Sequence, residues 1–489
     1  MKLKKLIKDL DILDIKISLE TSINSVTSDS KKATEKSLFI AIRGEKRDGN
    51  SYIENAYQNG AICVITDDKL SFEKYKNTIL VRNSRKALSF VWRNYYNDPA
   101  KSLKMIAITG TNGKTSCAYY LYNILKSAGK SCGLISTIET LINNKKIKRS
   151  GGSEVSDIAS AMTTPDPKFL YSTLSEMKKE GVEYVVMEAS SHSIEQEKLS
   201  AIRFLCGIFT NLSSEHLDFH KTMDNYFNAK LKLFDLCDIG VVNIDDEYGK
   251  LIKKLTQTPI YECSISEKTD FYSENIKMNE TGCSYDFVCE NDKISIETVI
   301  PGEYTIYNTM LSSSCAKLLG IDKESIVNGI KNTKHIKGRL EKIENTNIYI
   351  DYAHTPYAMK NIIKTIRLFA ADKRITVLFG CGGDRDKKKR AIMGQIATQE
   401  ADFAIITSDN SRSEDPVSII KDILSDISEE KNYCIIPKRE DAIKYAVKSM
   451  KENDILLLLG KGHEEYEIDK RGKHLFDERK IVKSVLKMK

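Results

Sequence analysis

The run I-A-I-T-G-T-N-G-K-T-S at residues 106–116 joins an apolar β-type segment to a glycine loop and a Lys-Thr pair. Strand, loop and helix in that order demand a layered α/β fold, with the loop emerging at the carboxyl end of a parallel strand. Gly110 and Gly113 let backbone N–H groups turn toward phosphate oxygens. Lys114 reaches the terminal phosphates, and the Thr115 hydroxyl suits Mg²⁺ at the positive end of a helix. Only Thr111 and Asn112 separate the glycines, where a standard P-loop has four residues. A chance glycine turn is the alternative. The helical stretch that follows, residues 117–128, supplies the context a nucleotide site requires.

The same alternation extends along the chain. Apolar β-type runs at 37–42, 61–66 and 78–81 alternate with helical stretches, and N-D-P-A at 97–100 reads as a turn and linker. Runs at 105–109, 184–189, 204–210 and 240–243 read as buried parallel strands, and a third set lies at 347–352, 375–380, 403–408 and 455–460. At about 100–200 residues per domain, 489 residues suit three α/β domains. We place them at 1–103, 104–336 and 337–489: a first domain, a central P-loop-type domain with a mostly parallel sheet and flanking helices, and a C-terminal Rossmann-like domain.

Seventy-five basic and 68 acidic residues are dispersed, and the net charge of +7 is modest, so no nucleic-acid stripe is expected. Eleven cysteines stand far apart without metal spacing and read as small apolar residues in a reducing compartment. The start M-K-L-K-K-L-I-K-D-L is no signal peptide, and no 18-residue apolar run exists. The expectation is a cytoplasmic protein, a monomer, with no membrane partner.

Several polar loops follow the apolar strands. In V-V-M-E-A-S-S-H (185–192), Glu188 sits at a strand's carboxyl end. Alone it reads equally as a cap or ion-pair partner; beside a phosphate loop it favours Mg²⁺. His216, in F-T-N-L-S-S-E-H-L-D-F-H (209–220), reads by itself as structural, since hard cations prefer oxygen. In the helix M-D-N-Y-F-N-A-K-L-K-L-F-D-L, Tyr226, Lys230 and Phe234 share one face while Lys232 points elsewhere. Lys230 either snorkels to water or is desolvated, and a desolvated amine is neutral enough to act as nucleophile or combine with CO₂ as a carbamate.

L-F-G-C-G-G-D-R-D-K-K-K-R (378–390), T-S-D-N-S-R-S-E-D-P (407–416) and L-G-K-G-H-E-E-Y (459–466) also follow strands. Arg385 and Arg412 offer forks for carboxylates, and Glu464 an acceptor for ammonium, a set suited to a zwitterionic amino acid; solvated surface loops are the bland alternative. In D-Y-A-H-T-P (351–356), Asp351 suits a ribose and His354 a phosphate or a structural role.

In order, I-T-G-T-N-G-K-T, T-T-P-D-P (163–167), M-E-A-S-S-H, N-L-S-S-E-H-L-D-F-H, Y-F-N-A-K, G-R-L-E, D-Y-A-H-T-P, G-C-G-G-D-R-D, D-N-S-R and G-K-G-H-E resemble the Mur ligase family nearly end to end. D-S-K (29–31) and R-G-E-K-R-D-G-N (43–50) are similar to its uridine-nucleotide domain. The resemblance implies an ATP-dependent ligase that adds the third amino acid to UDP-N-acetylmuramoyl-L-alanyl-D-glutamate through an acyl phosphate. It implies ATP contacts at Gly110, Thr111, Asn112, Gly113, Lys114, Thr115, Ser116, Asn308, Arg339 and Asp351. Thr115, Glu188, His216 and a carbamylated Lys230 would hold Mg²⁺, with Lys114, His216 and Lys230 catalytic.

The same resemblance implies that Ser30, Thr163, Thr164, Ser190, Gln196 and Lys198 bind the UDP-muramoyl dipeptide. Arg385, Asp409, Asn410, Ser411, Arg412, Gly460 and Glu464 would bind the amino acid. The diaminopimelate form of the loop is D-N-P-R; Ser411 stands in place of proline and leaves the loop less stiff. Arg412 still argues for a second carboxylate on the substrate, because lysine would bring an ammonium toward a guanidinium. The expectation is meso-2,6-diaminopimelate, with lanthionine and L-lysine as alternatives. Lys198 stands where the family usually has arginine, which removes a bidentate grip. A folylpolyglutamate synthetase and an ATP-hydrolysing regulatory protein are the competing readings.

Overall fold

The computed structural model describes residues 1–44, 47–147, 162–290, 292–428 and 432–487. Glu45 and Lys46, within the R-G-E-K-R-D-G-N segment, lie outside the described residues. Three principal sheets follow one another along the chain, each flanked by helices.

The first sheet orders its strands Ile12–Ile15, Thr78–Val81, Ala61–Thr66, Ser37–Ile40 and Ser25–Thr27, parallel apart from the first. N-D-P-A leads into a 3₁₀ turn, Pro99–Ser102, whose Pro99 and Ala100 are buried, so this junction is packed rather than open.

The central sheet has eleven strands. Its middle is parallel, in the order Phe271–Asn279, Ile260–Ser264, Cys237–Asn243, Phe204–Phe209, Lys104–Thr109, Tyr184–Glu188, Cys132–Ile135. Antiparallel hairpins extend it at both edges. Register pairs Glu188 with Ile108 and Phe209 with Thr109, so three strands end level. Parallel strands that end together gather their loops at one edge, where open α/β sheets bind ligands. Helix Lys114–Ser127 packs there against Glu303–Leu318 and Lys323–Lys331.

The third sheet runs Glu341–Lys342, Ile348–Asp351, Ile455–Leu459, Ile375–Phe379, Phe403–Ile406, Tyr433–Ile435, parallel apart from the first strand. Helices Pro356–Phe369, Lys388–Glu400 and Pro416–Leu424 cover one face; Arg439–Ser449 and Glu478–Leu486 cover the other. One apolar core runs from the central sheet through Ile300, Ile336 and Leu340 into Met359 and Ile363. A second joins Leu38, Ile65 and Trp92 to Met105 and Val185 on the other face of the central sheet. All eleven cysteines are free, ten of them buried, as their isolated spacing predicts. Among the described residues no helix is long and apolar enough to cross a membrane.

Candidate active site

Strand Lys104–Thr109 opens into the glycine loop, and helix Lys114–Ser127 starts at once after Gly113. Gly110 and Gly113 take φ of +144° and +84°, conformations that side chains resist. The neighbouring N-L-S-S loop braces this one. Thr111 N donates to Asn211 O (2.8 Å), Asn112 N to Asn211 Oδ1 (3.0 Å), and Thr210 Oγ1 to Asn112 O (2.6 Å). Lys114 Nζ lies over the loop, 2.9 Å from Gly110 O and 2.8 Å from Thr111 O, and its burial lowers its pKa.

Beside the loop, Glu188 is fully buried and accepts from Thr115 Oγ1 (2.9 Å), Thr137 N (2.7 Å) and Thr137 Oγ1 (2.9 Å). Among the described residues these partners are neutral and none forms an ion pair with it, so the carboxyl is held beside the glycine loop by hydroxyl and amide donors. His216 begins the short helix Leu217–His220 at φ +57°, packed edge-on against the rings of His192 and Tyr226. Burial pushes its imidazole down to about 3, which leaves it neutral with a lone pair to donate.

Lys230 is 1% exposed, which corrects the snorkelling alternative. Helix Met223–Leu231 buries Tyr226 and Lys230 on one face, and Nζ ends 2.8 Å from Gly110 O and 4.6 Å from the Tyr226 ring centre. Burial first, then the like charge of Lys114, hold its pKa well below the lysine range.

The C-terminal lobe supplies the opposite wall. Arg339 stacks on Tyr352 and donates to Thr115 Oγ1 (3.2 Å). Asp351, whose pKa burial raises, accepts from Leu340 N (2.6 Å) and Ala353 N (2.7 Å), so its ribose reading shares the carboxylate with two backbone amides. His354 Nε2 lies 2.8 Å from Glu215 Oε1 and Nδ1 2.8 Å from Tyr352 O. Burial alone would raise the Glu215 carboxyl; His216, His354 and Lys389 outweigh it and hold it well below the usual range. Together these groups border a cleft of about 910 Å³. Residues 111–116, Thr163, Glu188, His216, Asn308, Arg339 and Asp351 line it, while Gly110 and Lys230 lie outside its lining.

The remaining sequence candidates fall into separate groups. Thr164 Oγ1 donates to Glu188 O (2.9 Å) and accepts from Ser190 N (3.0 Å); Ser190 in turn caps helix Ser191–Glu195, which Gln196 ends. Thr163 Oγ1 accepts from Thr137 Oγ1 (3.1 Å), and Lys198 Nζ donates to Asp166 (2.6 Å). The T-T-P-D-P and M-E-A-S-S-H segments are thus knitted together. Ser30 lies apart, buried in the 3₁₀ turn of the first sheet, with its carbonyl accepting from Asn59 Nδ2 (2.9 Å).

Arg385, residues 409–412, Gly460 and Glu464 gather beyond the carboxyl ends of three strands of the third sheet, outside the cleft's lining. Arg412 Nη1 donates to Gly383 O (2.8 Å) and Asn410 O (3.2 Å); Arg385 is exposed. Ser411 is buried, its carbonyl packed against Gly383. Asn410 Nδ2 donates to Glu464 Oε2 (2.8 Å). Tyr352 also lines the cleft, and its ring lies 5.1 Å from that of His463.

Sequence reading missed Glu215, Thr137, Tyr352, Lys461 and Arg439. Glu215 and Thr137 had a signal, the first beside His216, the second just past a parallel strand. Arg439 had none: it opens a helix far from the loops it supports, donating to Glu478 Oε1 (2.9 Å) and Leu459 O (2.8 Å).

Residues 22–96 match the Mur ligase family catalytic domain, 108–316 the Mur ligase middle domain, and 338–462 the Mur ligase glutamate ligase domain. Similar curated proteins are the UDP-N-acetylmuramoyl-L-alanyl-D-glutamate–2,6-diaminopimelate ligases of Clostridium botulinum, 41% identical over 100% of both chains, and of Clostridium perfringens, 40% identical over 100% of both. A solved structure of a UDP-N-acetylmuramoyl-L-alanyl-D-glutamate–2,6-diaminopimelate ligase superposes with a TM-score of 0.70 at 27% identity, covering 100% of this chain and 99% of that one. With three family domains matched in order and relatives covering its whole length, this chain belongs to the Mur ligase family.

Proposed function

We propose that this chain is the ATP-dependent ligase that joins 2,6-diaminopimelate to the D-glutamate carboxylate of UDP-N-acetylmuramoyl-L-alanyl-D-glutamate. The observation that carries this reading is Lys230, an amine sealed from water 2.8 Å from a carbonyl of the phosphate loop. A nucleotide switch has no use for such a group. An acid-activating ligase does, because a neutral amine combines with CO₂, loses a proton and becomes a carbamate oxygen ligand beside the phosphates. Curated relatives at 41% and 40% identity bear the diaminopimelate ligase name, which favours this substrate over folate.

The residues divide the work. Residues 110–116, with Asn308, Arg339 and Asp351, hold ATP, and Lys114 offsets charge on the phosphates. The substrate carboxylate attacks the γ-phosphorus, ADP leaves, and the acyl phosphate is held between the lobes. The amine of the amino acid then attacks the acyl carbon, and the tetrahedral intermediate collapses by expelling phosphate, with negative charge gathered at each stage. Thr115, Glu188, neutral His216 and the Lys230 carbamate suit Mg²⁺, since among the described residues the buried Glu188 carboxyl has hydroxyl and amide donors and no cationic side chain as its hydrogen-bond partners. When bound, Mg²⁺ neutralises phosphate and acyl-phosphate oxygens.

Ser30, Thr163, Thr164, Ser190, Gln196 and Lys198 are assigned to the UDP-muramoyl dipeptide, and Arg385, residues 409–412, Gly460 and Glu464 to the amino acid. On this reading residues 1–103 take the uridine end, 104–336 the ATP and 337–489 the amino acid, in a cytoplasmic monomer. An amino-acid panel with ATP and the UDP-muramoyl dipeptide tests it. ADP release requires both dipeptide and amino acid, with meso-diaminopimelate preferred over lanthionine and L-lysine. Preference for L-lysine overturns the substrate, and full-speed ADP release without an amino acid overturns the ligase.

A further inference from the structure

Lys461 is fully buried in the G-K-G-H-E loop, yet its ammonium has polar company on several sides. Nζ donates to Asn410 Oδ1 (3.0 Å) and Tyr466 O (2.9 Å), with Asp409 Oδ1 at 3.8 Å and Glu464 Oε2 at 3.9 Å. Asn410 Oδ1 also accepts from Ile468 N (2.9 Å), and Asn410 Nδ2 donates to Glu464 Oε2 (2.8 Å). A carboxamide can turn end for end in the same space, and its partners decide which end faces which way. Here the reversed amide would set NH₂ against both the Lys461 ammonium and the Ile468 N–H, and a carbonyl against the Glu464 carboxylate.

The charges point the same way. Three carboxylates, Asp409, Glu464 and Glu478, surround two buried cations, Lys461 and Arg439. Arg439 pairs with Glu478 (2.9 Å) and reaches the far side of Asp409 (3.8 Å), while Lys461 is the one of the two that stands between Asp409 (3.8 Å) and Glu464 (3.9 Å). Without it, two like charges face each other in a region poor in water, and Glu464 moves or takes up a proton.

We propose that Lys461 is a positioning residue for the amino-acid site. Its ammonium fixes the Asn410 carboxamide in one orientation and, through it, aims the Glu464 carboxylate at the ammonium group of the incoming diamino acid. This rests on the amino-acid reading of these loops given above.

Steady-state kinetics of Lys461→Met, which keeps the apolar stem, tests the inference in the full-length enzyme. The KM for meso-diaminopimelate rises about ten-fold, the scale of one lost hydrogen bond to a charged group, while the KM values for ATP and dipeptide stay within about two-fold. Combined with Asn410→Ala, the substitution adds little more, because both act through one contact. Should Lys461→Met fail to fold, Lys461→Gln is read instead: it keeps N–H donors and shows the same selective rise, smaller in size. An unchanged KM for the amino acid in a folded variant overturns the proposal. So does an equal rise for all three substrates, or full additivity with Asn410→Ala. Failure of the parent enzyme to use any diamino acid sinks the substrate reading instead, and is measured first.

Discussion

A lysine side chain shut away from water is expensive unless something makes use of it. Lys230 has one backbone carbonyl at 2.8 Å, an aromatic face and the like charge of Lys114 nearby, so the fold carries its amine at a cost in stability. Lys230→Met fills the same volume without an amine. Gly110 O keeps its bond from Lys114 Nζ (2.9 Å), so the apolar replacement orphans no buried acceptor and removes a desolvated amine, and Tm is expected at or above the parent's. Turnover is expected to fall at least about a hundred-fold, the scale of losing one preorganised electrostatic group, and a short free carboxylate restores part of it. Near-parental turnover would remove the carbamate from the reaction. Residue chemistry of this kind was half legible: i, i+4 spacing placed Lys230 on a buried face, but whether its amine reached water depended on the loop at Gly110, 120 positions away.

At the scale of elements, the phosphate loop shows how little room a strand–loop–helix unit leaves. Gly113 has φ +84° and lies against Asn308 Oδ1, where a Cβ would fall inside the oxygen's contact sphere. Gly129, past the far end of the same helix, has φ +70° and open space around it. Both Gly→Ala substitutions carry left-handed strain of about 1 kcal/mol, and each is expected to lower Tm by about 1–2 °C in a chain of this size. Gly113→Ala also displaces Asn308, so its KM for ATP rises several-fold while that of Gly129→Ala stays at the parental value. Equal ATP affinity in the two variants would mean that Asn308 does not touch the nucleotide.

Elements with strong apolar runs were legible almost to the residue: the strands Ala61–Thr66 and Thr78–Val81 stand where the pattern put them. The helix expected from Cys117 begins at Lys114, because left-handed Gly113 lets it start at once. The hairpin strands Phe271–Asn279, Gly282–Cys289 and Asp292–Thr298 were missed. Asp292–Thr298 alternates buried and exposed residues, but its Lys and Glu on the open face give it the composition of a loop.

For the whole molecule, the central and C-terminal lobes meet in two unlike ways. An apolar core through Ile300, Ile336, Leu340 and Met359 binds them without specifying angle, since apolar contact is not directional. Around the cleft they touch through directional pairs: Arg339 with Thr115 (3.2 Å) and His354 with Glu215 (2.8 Å). The first depends on a hydroxyl that ATP and Mg²⁺ would engage, so the second is the one free to hold the lobes at reacting distance throughout. None of this was visible in the sequence, where Glu215 and His354 are 139 positions apart and His354 read equally well as structural. His354→Ala therefore separates lobe positioning from folding. With the shared core intact, Tm is expected to move by less than about 2 °C, because a partly exposed contact contributes little to the stability of a large chain. The kcat/KM for ATP is expected to fall about ten-fold, as small misplacements of reacting groups cost rate steeply. A variant that keeps parental kcat/KM would assign lobe spacing to the apolar core alone, and a large drop in Tm would make the pair a structural staple rather than a positioning one.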